Sequence, residues 1–317
     1  MVLVSFGIVT WNSADVIAAC LASVRQQGGV AAELLVWDNA SGDETRARLD
    51  DLTRPGERIY ADGNVGFSAA HNALIARSRG EYYVAVNPDV VLAPSFTREI
   101  VDALSRDQHA GSATGKLLRL DAPQIIDSTG IRMLPSQRHV DRGADCVDTG
   151  QYDRAEYVFG ASGAAACYRR RMLEDIRIGG EYFDEDFFAF REDADLAWRA
   201  QLLGWRCLYV PTARAWHRRR VTPERRQRLP AEINRASVRN RFLLRLKNQT
   251  LGHALTFAGP GLWRDAQVIG YVLLREHSSI PALVDVVRYL PRALTKRRAI
   301  MRRRRVADDQ IVTWFKA

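Results

Sequence analysis

The chain has 317 residues, of which 47% are hydrophobic and 26% charged, and its formal net charge is +9. This composition is typical of a globular protein and excludes disordered and fibrous classes, while the length allows two domains or one α/β domain with an extension. The four cysteines (Cys20, Cys146, Cys167 and Cys207) lie far apart and form no C-x-x-C pair, which argues against a zinc ribbon, a redox dithiol and a disulfide scaffold.

The chain begins with an apolar segment, Met1–Thr10, that lacks a charged region and a cleavage site, so it is predicted to be a strand and not a signal peptide. No apolar run approaches the roughly 18–20 residues that a membrane-spanning helix needs. We therefore expect a cytoplasmic protein that does not span a membrane, with peripheral attachment to the inner face of the cell membrane left open.

Strand-like and helix-like segments alternate over the first hundred residues. The predicted strands are Val2–Val9, Glu33–Trp37, Arg58–Tyr60 and Tyr82–Val86. The predicted helices are Ser13–Gln27, with Ser13 as the cap, Ser68–Ser78 and Ser95–Leu104. This alternation predicts a mostly parallel sheet with helices on both faces.

The second half of the chain is less regular. Residues 119–156 have weak periodicity and are predicted to form a long excursion over the sheet. Helical spacing returns at Glu192–Leu203, Arg206–Val210 is predicted to be a final strand, and the chain is predicted to be helical from about residue 224.

The charge is divided unevenly along the chain. Residues 1–213 contain 22 Lys and Arg against 30 Asp and Glu, a net charge of −8, whereas residues 214–317 contain 24 against 7, a net charge of +17. The basic part includes the run Lys296–Arg305 and several aromatic residues. It indicates a segment that faces an anionic partner: nucleic acid, anionic lipid or a phosphorylated substrate. The structural alternatives are a solvated arginine-rich helical face and a helical packing or dimerisation domain.

Three predicted strands end in polar residues, namely Thr10-Trp11-Asn12, Asp38-Asn39 and Asn87-Pro88-Asp89. Because ligands of open α/β sheets bind at the carboxyl ends of the strands, these residues predict a shared pocket, although each alone could be a turn former. Asp89 is a candidate ligand for Mg²⁺, which is usually held by one or two carboxylates together with substrate phosphates.

A glycine-containing turn, Gly63–Ser68, precedes a predicted helix and could present backbone N–H groups to a phosphate. It is neither a G-x-G-x-x-G motif nor a P-loop, so alone it is weak evidence.

An acidic cluster begins at Asp184 and ends with Glu192, Asp193 and Asp195. Acids in the first turn of a helix are favoured by the helix dipole, but one of them could face the sheet edge and act as a general base. Arg199 lies four residues after Asp195 and is predicted to pair with it.

His217 follows the last predicted strand and precedes three arginines, Arg218–Arg220. A lone histidine is usually structural. Beside a diphosphate, however, His217 could bind a metal, and the arginines could bind phosphate oxygens.

Seven motifs in this order resemble glycosyltransferase family 2, and within it the rhamnosyltransferase-like branch, over about residues 3–220. They are V-T-W-N (Val9–Asn12), W-D-N-A-S-G-D (Trp37–Asp43), G-N-V-G-F-S-A-A-H-N (Gly63–Asn72), V-N-P-D (Val86–Asp89), F-G-A-S-G-A (Phe159–Ala164), F-D-E-D-F-F (Phe183–Phe188) and R-E-D-A-D-L-A-W-R (Arg191–Arg199). Each motif alone is weak, whereas seven in order are a strong resemblance.

The resemblance implies a GT-A fold and an inverting sugar transfer from a nucleoside diphosphate sugar. It divides the chain into a glycosyltransferase domain, 1–222, and a basic helical extension, 223–317. Within the first, residues 1–105 would bind the donor, and residues 106–222 would bind the acceptor and carry out catalysis.

The same resemblance implies roles for individual residues. Those matched to the donor are Thr10, Asn12 and Asp38 for the base and ribose, and Asn64, Gly66, Asn72 and Asn87 along the nucleotide. Asp89 would bind Mg²⁺ or Mn²⁺, His217 would help to hold the metal and diphosphate, and Asp193 would be the catalytic base. Glu192, Asp195 and Arg199 would lie on the acceptor side or support it.

The sequence departs from the family pattern at three places. Asn87 replaces the first acid of the D-x-D motif, as in the rhamnosyltransferase-like branch, which leaves fewer protein carboxylates for the metal. Glu181-Tyr182 separates Gly179-Gly180 from Phe183 where the family usually has G-G-F-D-E, and Trp11 stands where Tyr is more usual.

The branch favours dTDP-rhamnose as donor, with UDP-sugars left open, and a glycan or polyprenyl-diphosphate-linked acceptor in cell-wall or surface polysaccharide synthesis. An anionic membrane surface and a homodimer are further candidate partners, whereas nucleic acid is not expected. Three rival functions remain: a sugar-1-phosphate nucleotidyltransferase, which would need a glycine-rich loop where Thr10–Ser13 stands, a nucleic-acid-binding protein, and a non-catalytic sugar-nucleotide-binding protein.

Overall fold

The computed structural model describes residues 1–219 and 231–316, and within these ranges the strands and helices alternate through the first half as predicted. The strands are β1 (Leu3–Thr10), β2 (Ala31–Asp38), β3 (Arg58–Tyr60), β4 (Tyr82–Val86), β5 (Val90–Leu92), β6 (Ala110–Arg119), β7 (Ile126–Ser128), β8 (Ile131–Met133), β9 (His139–Asp141), β10 (Glu156–Val158), β11 (Ala165–Arg169) and β12 (Arg206–His217). The helices are α1 (Ile17–Arg25), α2 (Thr45–Leu52), α3 (Gly66–Arg77), α4 (Phe96–Arg106), α5 (Arg170–Ile176), α6 (Glu192–Leu202), α7 (Ala231–Asn248), α8 (Leu251–Thr256), α9 (Ala258–Leu274), α10 (Ile280–Arg303) and α11 (Asp308–Lys316).

The central sheet is mixed and has ten strands, with the order β10-β12-β6-β11-β4-β1-β2-β3, while β5 pairs with β12 and β7 with β6. Strands β3, β2, β1 and β4 are mutually parallel, β11 runs antiparallel to β4 and β6, and β6 and β12 are parallel. Thr10 stands opposite Asp38, and Ile8 opposite Val86. The carboxyl ends of β1, β2 and β4 therefore meet at one edge of the sheet, as predicted.

Alternating burial along the strands builds one apolar core on each face of the sheet. In β4, Val84 packs into the cluster that contains α1 and α4, whereas its neighbours Tyr83 and Ala85 belong to the cluster on the other face, with α3, α5 and α6. Successive strand side chains point to opposite faces, so a continuously apolar strand such as β4 supplies both cores. This is the predicted arrangement of helices on both faces.

Three local predictions are corrected by the structure. Helix α1 begins at Ile17 and not at Ser13, whose side chain donates to the carbonyl oxygen of Trp11 instead of capping the helix. The weakly periodic region 119–156 is not only an excursion, because β7 joins the main sheet. The last strand does not end at Val210 but continues to His217, so His217 lies in a strand and not after it.

The length of β12 has a physical cause that its sequence conceals. Pro211 follows the apolar run Arg206–Val210, and a proline usually marks the end of a paired strand because it lacks an N–H group. Here the register with β6 shifts between Val210 and Arg214, which is a β-bulge, and pairing then resumes with both β5 and β6. The bulge lets the strand continue as far as His217.

The basic C-terminal helices pack against the acidic part of the sheet domain. The Nζ atom of Lys247 in α7 contacts the carboxylates of Asp184 and, at 2.8 Å, Asp195, while Lys296 in α10 pairs with Glu181 (2.8 Å) and Asp184 (2.5 Å). Part of the charge asymmetry is therefore neutralised inside the molecule. The predicted division at 222/223 lies outside the described residues.

Among the described helices, none is both long enough and apolar enough to cross a membrane.

Candidate functional site

The ends of β1 and β2 form a hydrogen-bonded corner around Asp38. The hydroxyl of Thr10 donates to Asp38 Oδ1 at 3.0 Å, and Arg46 Nε pairs with Asp38 Oδ2 at 2.8 Å. Thr10 and Asp38 are both buried, whereas Asn12 is exposed. Asn12 has a positive φ of 48°, and its side-chain oxygen accepts from the N–H of Gly42 at 2.9 Å. The structure thus brings together the three residues matched to the base and ribose.

The turn before α3 is held by contacts within the protein. The N–H of Gly66 donates to Asn64 Oδ1 at 2.9 Å, and the N–H of Phe67 donates to the carbonyl oxygen of Phe188 at 2.6 Å. Gly66 has φ +83°, and a Cβ atom there would lie 2.5 Å from the oxygen of Phe188, so glycine is required for this approach. These N–H groups already have acceptors, and nucleotide contacts by Asn64 and Gly66 stay a prediction.

Asn72 links α3 to the loop that precedes the acidic cluster. Its oxygen accepts from the N–H groups of Tyr182 (3.2 Å) and Phe183 (2.8 Å), and its amide nitrogen donates to Phe183 O (2.8 Å) and Glu185 Oε1 (3.0 Å). An asparagine side chain offers two donor hydrogens and two acceptor lone pairs, so this network uses all of them. A direct contact between Asn72 and the nucleotide stays a prediction that these bonds do not favour.

Asp89 and His217 meet where β4 and β12 end, with His217 Nε2 3.3 Å from Asp89 Oδ1. On its other side, His217 Nδ1 lies 2.8 Å from Oδ2 of Asp127, a buried carboxylate in β7. Burial opposes protonation of His217, but the hydrogen bonds to Asp127 and Asp89 raise the pKa of the imidazole to about 9. The geometry therefore presents one carboxylate and one imidazole nitrogen to the same space, with a second carboxylate orienting the ring.

Of the arginines that follow His217, Arg219 contacts Asp127 (3.3 Å) and Asp141, and Arg218 contacts the exposed Asp15 at 3.5 Å. Arg220 lies outside the described residues.

Asp193 lies in the first turn of α6, directly facing the loop before β11. Its Oδ2 accepts from the N–H of Gly163 at 3.0 Å, and its Oδ1 accepts from the N–H of Ala194 at 2.7 Å. A Cβ atom at Gly163 would lie 3.2 Å from Oδ2, so the small residue makes room for the carboxylate. Burial raises the pKa of Asp193 above its usual range, although the two N–H groups favour the ionised form.

Glu192, the neighbour of Asp193, is a buried carboxyl whose Oε2 has no hydrogen-bond partner among the described residues. Burial, followed by the charge of Asp193, raises the pKa of Glu192 well above its usual range. Of the two carboxyls, Asp193 alone receives two backbone N–H groups, which makes it the better candidate for an ionised base.

A cleft of about 500 Å³ joins the two centres. Its lining includes Asn87, Asp89, His217, Glu192 and Asp193, together with three arginines and two phenylalanines: Arg138, Arg191, Arg219, Phe67 and Phe190. Of the described side chains, those of Thr10, Asn12, Asp38, Asn64 and Asn72 are not in this lining. The structure thus groups the predicted metal residues with the predicted base, and places the predicted base-and-ribose residues at a separate corner of the same sheet edge.

Comparison with known proteins then gives the family. Over residues 5–177, more than half of the chain, the sequence matches the model of glycosyl transferase family 2. The chain belongs to this family. The chain is 28% identical over 218 residues to the succinoglycan biosynthesis protein ExoO of Rhizobium meliloti, covering 66% of this chain and 59% of the relative. It is 29% identical over 238 residues to the N-acetylglucosaminyl-diphospho-decaprenol L-rhamnosyltransferase of Mycobacterium tuberculosis, covering 66% and 74%.

Solved structures show that the chain has the GT-A fold that the sequence predicted. The structure of S. aureus TarS 1-349 in complex with UDP-GlcNAc superposes with a TM-score of 0.58 at 17% identity, over 94% of this chain and 89% of that one. That of GalNAc-T7 with UDP, GalNAc and Mn²⁺ gives a TM-score of 0.61 at 14% identity, over 78% and 48%.

Two predicted support residues form a buried network. Arg199 Nε pairs with Asp195 Oδ2 at 2.9 Å, as the i,i+4 spacing predicted, and the guanidinium also donates to the carbonyl oxygen of Tyr182 at 2.7 Å. Asp195 Oδ1 accepts from Lys247 (2.8 Å) and Asn248 (2.7 Å) of α7. Asp195 therefore links α6 to α7 and is not among the residues that line the cleft.

Sequence reasoning missed Asp127. It lies within the weakly periodic region and belongs to no motif, and only the pairing of β7 with β6 brings it to His217.

It also missed Asn240, which holds the loop before α6. This loop contains three non-glycine residues with positive φ: Phe188 (61°), Phe190 (67°) and Arg191 (73°). Such conformations are costly and persist where surrounding contacts fix them. The side-chain amide of Asn240 donates to the carbonyl oxygens of Phe187 (2.7 Å), Ala189 (2.8 Å) and Phe190 (2.9 Å). No local pattern relates α7 to a loop fifty residues earlier.

Replacing Asn240 with Ala is expected to lower the free energy of unfolding by about 1–3 kcal/mol, because three carbonyls lose their shared donor in a buried place. It is also expected to lower kcat more than donor affinity, since Asp193 follows this loop by two residues. Thermal unfolding and steady-state kinetics measure the two effects. Asn240→Asp keeps the shape and removes the donor, so it should behave as Asn240→Ala does; wild-type kinetics in both variants would contradict a positioning role.

Proposed function

We propose that the protein is an inverting glycosyltransferase that moves a sugar from a nucleoside diphosphate sugar to an acceptor hydroxyl, with Asp193 as the general base. The observation that carries the proposal is the cleft, whose lining includes both the Asp89–His217 pair and Asp193. One cleft thus contains a pair suited to a charged leaving group and a carboxyl suited to an attacking hydroxyl.

We propose that Asp89 and His217 hold a divalent cation, Mg²⁺ or Mn²⁺. The residues fit such an ion because a carboxylate oxygen and an imidazole nitrogen face each other, and the Asp127 carboxylate fixes the far side of the ring, as is common for metal-bound histidines. His217 Nε2 would lose the proton that it now donates towards Asp89 when the cation binds, because only the deprotonated nitrogen can bind a metal. Within the described residues no group of three or more His, Cys, Asp or Glu side chains is arranged as a metal site. A two-residue site suits a cation that is also bound by substrate phosphates, and its chemistry is to neutralise the charge of the leaving diphosphate.

The arginines of the cleft would bind the diphosphate oxygens. Arg138, Arg191 and Arg219 all line it, and a guanidinium forms strong charge-assisted hydrogen bonds to phosphate. At the other corner, Thr10, Asn12 and Asp38 would hold the base and ribose, and Asn87 would lie along the nucleotide between the two.

Asp193 would accept the proton of the acceptor hydroxyl. As the proton moves to the carboxylate, the acceptor oxygen forms a bond to the anomeric carbon, and the bond from that carbon to the diphosphate oxygen breaks on the opposite face. The backbone N–H groups of Gly163 and Ala194 orient the carboxylate for this step.

For the donor we favour dTDP-rhamnose, with UDP-sugars as the alternative. The relative named as an L-rhamnosyltransferase supports the first at 29% identity, and the fold neighbour in complex with UDP-GlcNAc supports the second at 17%. For the acceptor we propose a glycan or a lipid-linked diphosphate sugar in cell-wall or surface polysaccharide synthesis, handled on the cytoplasmic face of the membrane. The names of the two curated relatives support this class of acceptor.

A thermal-shift panel tests the proposed function. Purified full-length protein is measured with dTDP-rhamnose, UDP-galactose, UDP-N-acetylglucosamine and GDP-mannose, each with Mn²⁺ or Mg²⁺ and with EDTA. A ligand at about 100 times its Kd stabilises the folded state by about 2.7 kcal/mol, so one nucleotide sugar should raise Tm clearly, and only with metal. Absence of a shift with every donor would argue for a protein that does not bind nucleotide sugars.

A further inference from the structure

The C-terminal helices carry an apolar surface that the described residues leave uncovered. Apart from Met1, the large hydrophobic side chains of residues 1–219 and 231–316 that are more than 60% exposed all lie between residues 251 and 287. They are Leu251, Leu255, Leu262, Trp263, Leu274, Val284 and Val287, with exposed fractions of 66–75%. We call these seven residues the apolar surface; in the other described parts of the chain, the largest such exposure is 54%, at Val147.

Helix α9 exposes large apolar side chains while its one carboxylate faces inwards. Leu262, Trp263 and Leu274 are exposed, whereas the charged Asp265 faces α7 and pairs with Arg241 at 3.2 Å and with Arg245. A helix on the surface of a water-soluble protein normally turns its apolar face inwards and its charges outwards. Asp265 thus attaches α9 to α7, and the two leucines and the tryptophan point away.

The helices that carry the apolar surface form one packed unit. Val272 of α9 and Ala282 of α10 pack together with Val238 of α7 in a small buried cluster. Leu251 of α8 and Leu294 of α10 line the same groove. The exposed apolar side chains therefore belong to neighbouring helices and are not scattered over the molecule.

Basic residues continue this surface along α10. Arg288, Arg298 and Arg302 are exposed on the same helix as Val284 and Val287. Arg288 follows Val284 by four residues and Arg298 follows Val287 by eleven, and both spacings keep the arginine near the side of the helix that carries the valine.

Other members of the run Lys296–Arg305 are used internally. Lys296 pairs with Glu181, Asp184 and Asp186, while Arg305 pairs with Asp175. Thus only part of the basic run faces outwards, and it does so beside apolar side chains.

We propose that the apolar surface, with Arg288, Arg298 and Arg302 beside it, binds the surface of an anionic lipid bilayer. An apolar helical face flanked by arginines inserts at the boundary between headgroups and acyl chains, and the arginines are attracted to anionic headgroups. A second copy of this chain is disfavoured as the occupant, because it would bring two basic surfaces together. The inference rests on the proposed function in one respect: membrane binding would hold the cleft near a lipid-linked acceptor.

Vesicle flotation with the full-length protein tests the proposal without donor or acceptor, so a failed transferase assay cannot be confused with it. Wild-type protein is expected to float with phosphatidylcholine vesicles that contain phosphatidylglycerol, and more weakly with phosphatidylcholine alone. Leu262→Gln and Leu274→Gln should lower the partition coefficient by roughly tenfold each. Arg298→Gln and Arg302→Gln should lower it by roughly fivefold each on anionic vesicles and leave it unchanged on neutral ones. Val147→Gln, also at an exposed apolar position, is the matched control and should bind as wild type.

Tryptophan emission distinguishes insertion from mere adhesion. Trp263 is 69% exposed, so its emission should shift to shorter wavelength with anionic vesicles, and Trp263→Phe should float normally while losing that shift. Equal flotation of the wild-type protein and of a variant that carries both Leu262→Gln and Leu274→Gln would overturn the proposal. A second result would also overturn it: a wild-type protein that does not float and is a dimer by light scattering, and that the two leucine substitutions convert to a monomer. The apolar surface would then join two copies of the chain.

Discussion

Replacing Asp193 with Asn is expected to lower the rate of sugar transfer by about 10²–10⁴-fold while donor binding stays near normal, because the amide cannot accept the acceptor proton. The carboxylate is fixed by the N–H groups of Gly163 and Ala194 and does not contact the Asp89–His217 pair, so its loss should leave donor affinity intact. Single-turnover rates and calorimetric donor titration measure the two quantities separately. A fall in donor affinity equal to the fall in rate would contradict the assignment.

Glu192→Gln provides a matched control for Asp193→Asn. Glu192 is buried beside Asp193, and its raised pKa keeps it largely protonated at neutral pH. Glutamine resembles the protonated carboxyl in shape and charge, so this variant should retain most of the activity. If Glu192→Gln instead lost as much rate as Asp193→Asn, the base would have to be assigned to Glu192 or to the pair.

The pH dependence of the rate follows from the same burial. Only ionised Asp193 can accept a proton, and its pKa lies above the usual range of an aspartate. The rate should therefore be low in acid, rise with pH through this raised pKa, and level off above it. Glu192→Gln should leave the midpoint of this rise nearly unchanged, because Glu192 is already uncharged in the pH range in which Asp193 titrates. A rate that stays flat from acid to neutral pH would argue against an aspartate base here.

Replacing Asp89 with Ala is expected to abolish the metal-dependent part of donor binding, because it removes the carboxylate that we propose as a metal ligand. In the wild type, Mn²⁺ should tighten donor binding, whereas in the variant the donor affinities with Mn²⁺ and with EDTA should be alike. Calorimetric titrations under the two conditions measure this difference. Asp102→Ala, which removes an exposed carboxylate on α4, is the control and should keep the metal dependence.

Asp127→Asn tests the proposed metal site through the carboxylate that orients His217. Asp127 lies 2.8 Å from His217 Nδ1, and removing such an orienting carboxylate typically costs about 10–100-fold in metal affinity. The variant should therefore need more Mn²⁺ for the same donor affinity and should reach the wild-type affinity at saturating metal. A metal requirement unchanged from wild type would show that His217 does not act through the ion.

Local patterns in the sequence were enough to predict the alternating strands and helices of the first hundred residues. Continuous apolar runs such as Tyr82–Val86 and the polar residues that end them specify buried parallel strands and a polar sheet edge, because both depend on neighbouring residues alone. The family motifs, in the right order, indicated the fold and the family that the comparisons then confirmed. The spacing of Asp195 and Arg199 similarly predicted their ion pair, since i,i+4 neighbours meet on any helix.

What the sequence by itself determined is therefore the class of the protein, its sheet edge and its candidate residues. Only the tertiary structure decided how those residues are arranged. The bulge after Pro211 carries His217 to Asp89, the pairing of β7 brings Asp127 behind it, and Asn240 reaches the loop before Asp193 from α7. It also decided that α9 turns Asp265 inwards and Leu262 and Leu274 outwards. Each of these contacts joins residues tens of positions apart, and such contacts depend on strand register and helix packing, which no local pattern encodes.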